Sequence, residues 1–185
     1  MSAVIRVARG FTLPELLTAM AVTGVALSLA VPSLNSAITG QRSATAINSL
    51  VGTLYLARST ATTRNQPVTL CPSDDGLRCS DSAWAQGWIV FVDPSRQRQP
   101  GTEGLLATEA GLPGSVRLQS PEFPRFLTYR PNGQAAGEQS NNAGGGFWFC
   151  EAGSDGAARG LWINATGKPQ LVDQQANGRP FECAG

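Results

Sequence analysis

The stretch from Phe11 to Val31 reads Phe-Thr-Leu-Pro-Glu-Leu-Leu-Thr-Ala-Met-Ala-Val-Thr-Gly-Val-Ala-Leu-Ser-Leu-Ala-Val and carries one charge, Glu15. About 20 apolar residues rising ~1.5 Å each span a bilayer core. The run therefore predicts a transmembrane helix, with Arg6 and Arg9 holding its N-terminus on the cytoplasmic side. A secretory signal peptide fits less well, because Ala30-Val31-Pro32 makes a poor cleavage site and Glu15 follows closely on the basic start. A carboxylate this deep in an apolar run is expensive and calls for a neutralising partner.

The residues around that carboxylate carry a resemblance. Gly10-Phe11-Thr12-Leu13-Pro14-Glu15-Leu16-Leu17 resembles the leader junction of type IV pilins and type II secretion pseudopilins. The resemblance implies that a prepilin peptidase cuts between Gly10 and Phe11 and that the new Phe11 amine is methylated. It further implies that Glu15 pairs with the N-terminal amine of a neighbouring subunit. Residues 1–10 would then be a leader, 11–32 a transmembrane and filament-core helix, and 33–185 a periplasmic head. The family usually has Ile or Val before the glutamate, and here Pro14 stands in that place. Proline fits a first helical turn, where its missing N–H has no partner to lose. Pro32 resembles the family's helix-kink position.

Beyond Pro32 the pattern turns amphipathic. Leu34, Ile38, Ile47, Leu50, Val51, Leu54, Ala57 and Ala61 recur at helical spacing, with Gln41, Arg42, Asn48, Thr53 and Arg58 on other faces. Asn65 and Pro67 should close one long helix covering about 12–64. The remaining chain holds short β-type runs at 68–71, 87–92, 116–118, 126–129, 147–150, 160–163 and 170–172. Turn signals such as Asn132-Gly133 and Thr166-Gly167 separate them. The expected class is α+β, a long N-terminal helix packed on a mostly antiparallel head. The segment 133–146 reads as a flexible loop. Arg64-Asn65-Gln66-Pro67-Val68-Thr69-Leu70-Cys71 and Gly87-Trp88-Ile89-Val90-Phe91-Val92-Asp93 resemble the GspH/FimT branch of minor pilins and pseudopilins.

Composition narrows the chemistry. Histidine is absent, which excludes the usual Ser-His-Asp and Cys-His arrangements and every His-containing zinc site. No cofactor is implied, and an enzyme is not expected. Four cysteines allow three pairings. Cys71 and Cys79 bracket a tight loop that a disulfide could close. Cys150 and Cys183 then remain, and their pairing resembles the C-terminal disulfide-bounded loop of pilins. A four-thiolate zinc site is disfavoured, since no two cysteines have the close spacing it needs.

The carboxylates offer little. Asp74, Asp75 and Asp81 do not have EF-hand spacing and read as a polar turn. Glu103 with Glu109, or Asp93 with Glu122, read as solvated surface charges. Trp84, Trp88, Trp148 and Trp162 read as core or cross-strand pairs. Asn164-Ala165-Thr166 matches a glycosylation pattern that is common by chance.

Some FimT-type minor pilins take part in DNA uptake through a Gly-Arg-x-Arg motif on a late hairpin. The matching stretch, Gly167-Lys168-Pro169-Gln170, keeps one cation, and Arg159 and Arg179 could add charge. Two of the 14 basic residues lie in the expected leader, which leaves 12 against 13 acids and a formal charge of −1. The favoured expectation is a minor pilin of a type IV pilus tip or priming complex. The alternatives are a type II secretion pseudopilin or a DNA-uptake minor pilin. Implied partners are other pilin or pseudopilin subunits, the prepilin peptidase and the bacterial inner membrane; DNA is not favoured. Intact mass after alkylation without reductant should show no free thiol, and any alkylated species would contradict both disulfides.

Overall fold

The computed structural model describes residues 12–101, 104–114, 116–139, 144–151, 159–174, 178–179 and 181, with backbone alone for 29–40 and 151. Helix α1, Leu13–Arg64, contributes to two compact units, residues 1–40 and 41–185. Its first turn holds Pro14 and Glu15, as the turn's missing hydrogen bonds allow. Its end is a glycine-free Schellman cap. Asn65 takes a left-handed φ of 52°, and Gln66 N–H donates to the Ala61 carbonyl at 3.2 Å.

In the second unit α1 buries one stripe: Ile47, Leu50, Leu54, Ala57 and Ala61. The spacing alternates three and four, as expected for a helix seated on a core. Thr53 and Arg58 depart from the sequence reading. Thr53 is buried, its hydroxyl bonded to the Ser49 carbonyl and approached by Trp88 Nε1. Arg58 is half-buried and bonded, for reasons given below.

Among the described residues two antiparallel sheets accompany the helix in this unit. The first has the order β3-β2-β1-β5-β6, with β1 Val68–Pro72, β2 Gly87–Val92, β3 Leu105–Ala110, β5 Leu127–Tyr129 and β6 Ala135–Gly137. The second has the order β4-β7-β8-β9, with β4 Val116–Gln119, β7 Gly145–Glu151, β8 Arg159–Ile163 and β9 Pro169–Val172. Strands β1 and β2 are buried at every position, yet their side chains still alternate between two cores. Val68, Leu70, Trp88, Val90 and Val92 join the main cluster with α1. Cys71, Ile89 and Phe91 face the other way and form a smaller cluster with Phe126.

Strands β3 and β6 are absent from the sequence reading. β3, Leu-Leu-Ala-Thr-Glu-Ala, is a half-exposed edge strand with little hydrophobic alternation. β6 falls in the segment expected to be a flexible loop; residues 140–143 of that segment lie outside the described residues. The glycines there serve close packing. A Cβ on Gly137 would lie 2.1 Å from Phe123 Cδ1, and one on Gly145 would lie 2.6 Å from Phe123 Cε2. Phe123 is fully buried, and its carbonyl accepts from Trp84 Nε1 at 2.8 Å. Because Gly137 belongs to one sheet and Gly145 to the other, this ring locks the two sheets together.

Phe123→Ala should therefore cost about 3–5 kcal/mol, the range for emptying a large aromatic site. Chemical denaturation of the full chain in detergent checks this. A loss below about 1 kcal/mol, the level of an exposed site, would show that the ring does not join the sheets.

Candidate functional site

The first unit presents an uncovered apolar helix. Leu13, Leu16, Leu17, Met20, Val22, Val25 and Leu27 are each more than half exposed, from 56% at Leu16 to 73% at Leu13. Residues 13, 16, 17, 20 and 27 follow one helical stripe, while Val22 and Val25 lie off it, so the helix is apolar on more than one face. Such a helix requires enclosure rather than a single supporting surface. Its hydroxyls are already satisfied: Thr18, Thr23 and Ser28 donate to the carbonyls of Glu15, Ala19 and Val25. They can enter an apolar setting without a lost hydrogen bond.

Glu15 has a local role that the sequence reading missed. Thr12 precedes the helix and Glu15 is its third residue, the spacing of a capping box. A Glu15 carboxylate oxygen accepts from the Thr12 N–H and hydroxyl, both at 3.4 Å. These contacts are long, so the carboxylate is only weakly held within its own chain. Thr-x-x-Glu was the available signal.

Gly10 and Phe11, the expected cleavage and methylation residues, lie outside the described residues, as does the side chain of Pro32. Among the described residues no helix is long and apolar enough to cross a membrane. Within the described part of 11–32, Thr12, Glu15, Thr18, Thr23 and Ser28 interrupt the apolar side chains.

The disulfide between Cys71 and Cys79 is present, with Cα atoms 5.5 Å apart. Cys150 is also disulfide-bonded; Cys183 lies outside the described residues. Inside the Cys71–Cys79 loop, Asp75 accepts from the Leu77 and Arg78 amides and the Ser73 hydroxyl. Those amides hold its carboxyl below the usual range, the Leu77 contribution being the largest. Asp93 is a correction. It is buried rather than a solvated surface charge, and it shares no site with Glu122, whose carboxylate accepts from the Gly146 amide.

The cations weighed for DNA do not converge. Lys168 lies at the turn joining β8 to β9, and Arg159 begins β8 at the far end of that hairpin. Five strand residues separate the two ends, roughly 15 Å at strand rise. Arg179 is exposed and already has an interaction partner. The turn itself is a closed polar structure: Asn164 Oδ1 accepts from the Thr166 amide and hydroxyl and from the Lys168 amide. This accounts for the Asn-Ala-Thr pattern as turn chemistry.

That turn meets another across α1. Arg58 Nε donates to the Gly133 carbonyl and Nη2 to the Thr166 carbonyl, both at 3.1 Å. A Cβ on Gly167 would lie 1.9 Å from the Gly133 carbonyl oxygen. One guanidinium therefore pins two hairpins, one from each sheet, to the helix.

The residues 46–167 match the family model described as type II transport protein GspH. The chain belongs to the GspH family. Residues 5–31 match the prokaryotic N-terminal methylation motif, so this is a GspH/FimT-type minor pilin or pseudopilin, a structural subunit by family. Its fold is similar to that of the Pseudomonas aeruginosa type IV minor pilin FimU, with a TM-score of 0.53 and 21% identity over 69% of this chain and 90% of that one. It is also similar to the Vibrio cholerae type II secretion minor pseudopilin EpsH, with a TM-score of 0.50 and 9% identity over 71% of this chain and 96% of that one. No curated protein matches the sequence significantly.

Arg58→Gln should loosen both hairpins, costing about 2 kcal/mol for the lost charge-assisted bonds. Hydrogen exchange checks it: the Gly133 and Gly167 amides should exchange faster while strand β2 stays protected. Acceleration spread evenly over the head would contradict a local clamp.

Proposed function

We propose that this chain is a minor pilin incorporated into a type IV pilus, in a tip or priming complex that supports assembly. The observation that carries the reading is the exposed apolar helix with one weakly held carboxylate at its start. Burying each of its seven large side chains contributes about 1.5–3 kcal/mol. Their sum exceeds the several kcal/mol that enclosing one carboxylate costs. Enclosure is therefore favourable overall, and the cost of Glu15 falls further wherever a cation meets it.

In this reading the prepilin peptidase cuts between Gly10 and Phe11, and Phe11 is methylated. The helix waits in the bacterial inner membrane with the head in the periplasm. It then moves into the filament core, where Glu15 meets the Phe11 amine of an adjacent subunit. Pro32 allows the helix to bend between these two settings. Likeness of fold to a type IV minor pilin supports the pilus assignment. A second reading, a type II secretion pseudopilin, is favoured by the family's own description.

Glu15→Ala should leave membrane fractionation unchanged and reduce recovery of the protein in sheared filaments at least about tenfold, as loss of a buried ion pair would. Unchanged recovery would sink the proposed pairing. Deleting the gene separates the two machines: surface pili should fall while protein secretion continues, and the reverse pattern would assign the chain to secretion.

A further inference from the structure

We propose that the head carries a groove that binds an acidic polypeptide segment, on the face of the five-stranded sheet turned away from α1. Two cavities, of about 230 and 250 Å³, lie side by side there and share Arg98 and Phe126 as a common wall. Together they make one elongated trough rather than a cup for a lone ion. The proposal does not rest on the filament reading.

One end of the trough is basic. Arg96, Arg98 and Arg130 line the first cavity, and among the described residues lining it Asp93 is the one carboxylate. That carboxylate is already committed. Asp93 Oδ1 accepts from the Gln97 amide at 2.9 Å; Oδ2 accepts from the Arg98 amide at 3.1 Å and the Thr69 hydroxyl at 3.0 Å. Arg96 and Arg130 make no side-chain hydrogen bond or ion pair with another described residue. Arg98 lies 3.9 Å above the Phe126 ring, which orients its guanidinium, and the Glu138 carboxylate feels its charge from nearby.

The backbone is bent to hold this arrangement. Arg96 and Arg98 have φ values of 55° and 57°. A left-handed conformation is unfavourable for an L-residue with a side chain, and such strain survives where surrounding contacts enforce it. Buried Asp93 enforces it here: it grips the turn through two amides and ties it to the sheet through Thr69, whose hydroxyl also meets that of Thr128. A buried carboxylate thus presents two arginines on a preset loop.

The shape and charge select the ligand. Guanidinium forks match carboxylates in a bidentate manner. The second cavity continues the trough with the Gln97 side chain, whose amide can meet a main-chain carbonyl and N–H, while Gln99 there is bonded to the Cys79 backbone and Ser80 to Ser82. It also carries Asp81, and Arg125 there is already paired with Glu138. Phosphates running along the whole trough would meet that acidic end, and Arg98 covers the aromatic ring on which a base would stack. An extended peptide with its acidic residues at the Arg96–Arg130 end fits both ends.

The test uses the full chain in nonionic detergent and the fluorescent peptide Gly-Asp-Glu-Glu-Asp-Gly, with its Asn/Gln counterpart as control. Anisotropy should show the acidic peptide binding at least about tenfold tighter than the control. The double substitution Arg96→Asn and Arg130→Gln should cut that affinity about tenfold; asparagine tolerates the left-handed backbone, so the loop is retained. Replacing both by Lys keeps charge without the fork and should restore binding only in part. Arg117→Gln, exposed on β4 away from the trough, should change nothing. Equal binding of the two peptides would overturn the proposal, as would full binding by the Arg96/Arg130 double variant. So would more effective competition by inorganic phosphate or a single-stranded oligonucleotide than by unlabelled acidic peptide.

Discussion

A helix that is apolar around its circumference cannot be satisfied by the surface that satisfies an apolar stripe. In α1 both patterns occur in one uninterrupted element. From Ile47 to Ala61 a single stripe is buried and the opposite face, with Tyr55 and Leu56, meets solvent. From Leu13 to Leu27 no side is buried. The two sheets of the head are built around the first pattern, while the second is left for something outside the chain. That division is why a soluble-looking head and an insoluble-looking start belong to one protein.

The head meets its own demands by joining elements at a few points. Phe123 enters both sheets through glycines 137 and 145, and Arg58 reaches two hairpin turns through backbone carbonyls. Carbonyl acceptors make Arg58 insensitive to the side chains of the turns it holds. The Cys71–Cys79 bond encloses the loop beside the smaller core, where Cys71 packs with Ile89, Phe91 and Phe126. By closing a short loop, such a bond restricts the unfolded chain more than it adds contact.

Periodicity carried most of the fold. The helix end at Asn65, the strand Gly87–Val92 and the hairpin turns at Gly133 and Gly167 were all readable from local pattern and turn chemistry. What escaped has a common cause: burial that depends on distant residues. β6 looked like a linker because its glycines carry no pattern of their own; their meaning lies in Phe123. Asp93 looked like a surface charge because nothing adjacent in sequence announces Thr69, which lies one strand away. At the candidate assembly surface the apolar run and Glu15 were legible. The capping contact with Thr12 was legible too, in the Thr-x-x-Glu spacing.

Among the described residues three non-glycine residues take positive φ, and their settings separate structure from function. Asn65 closes a helix, satisfies carbonyls that would otherwise be orphaned, and is a residue type suited to that conformation. Its local rule is obeyed. Arg96 and Arg98 end no helix and belong to a residue type that gains nothing from a left-handed backbone. A surface turn free to choose would place Gly or Asn there. Instead a buried aspartate is spent on two amides to maintain the conformation, and the side chains so placed gather like charges around one aromatic ring. Local rules broken together, with a buried polar group maintaining the break, mark a position selected for what it presents rather than for how it folds.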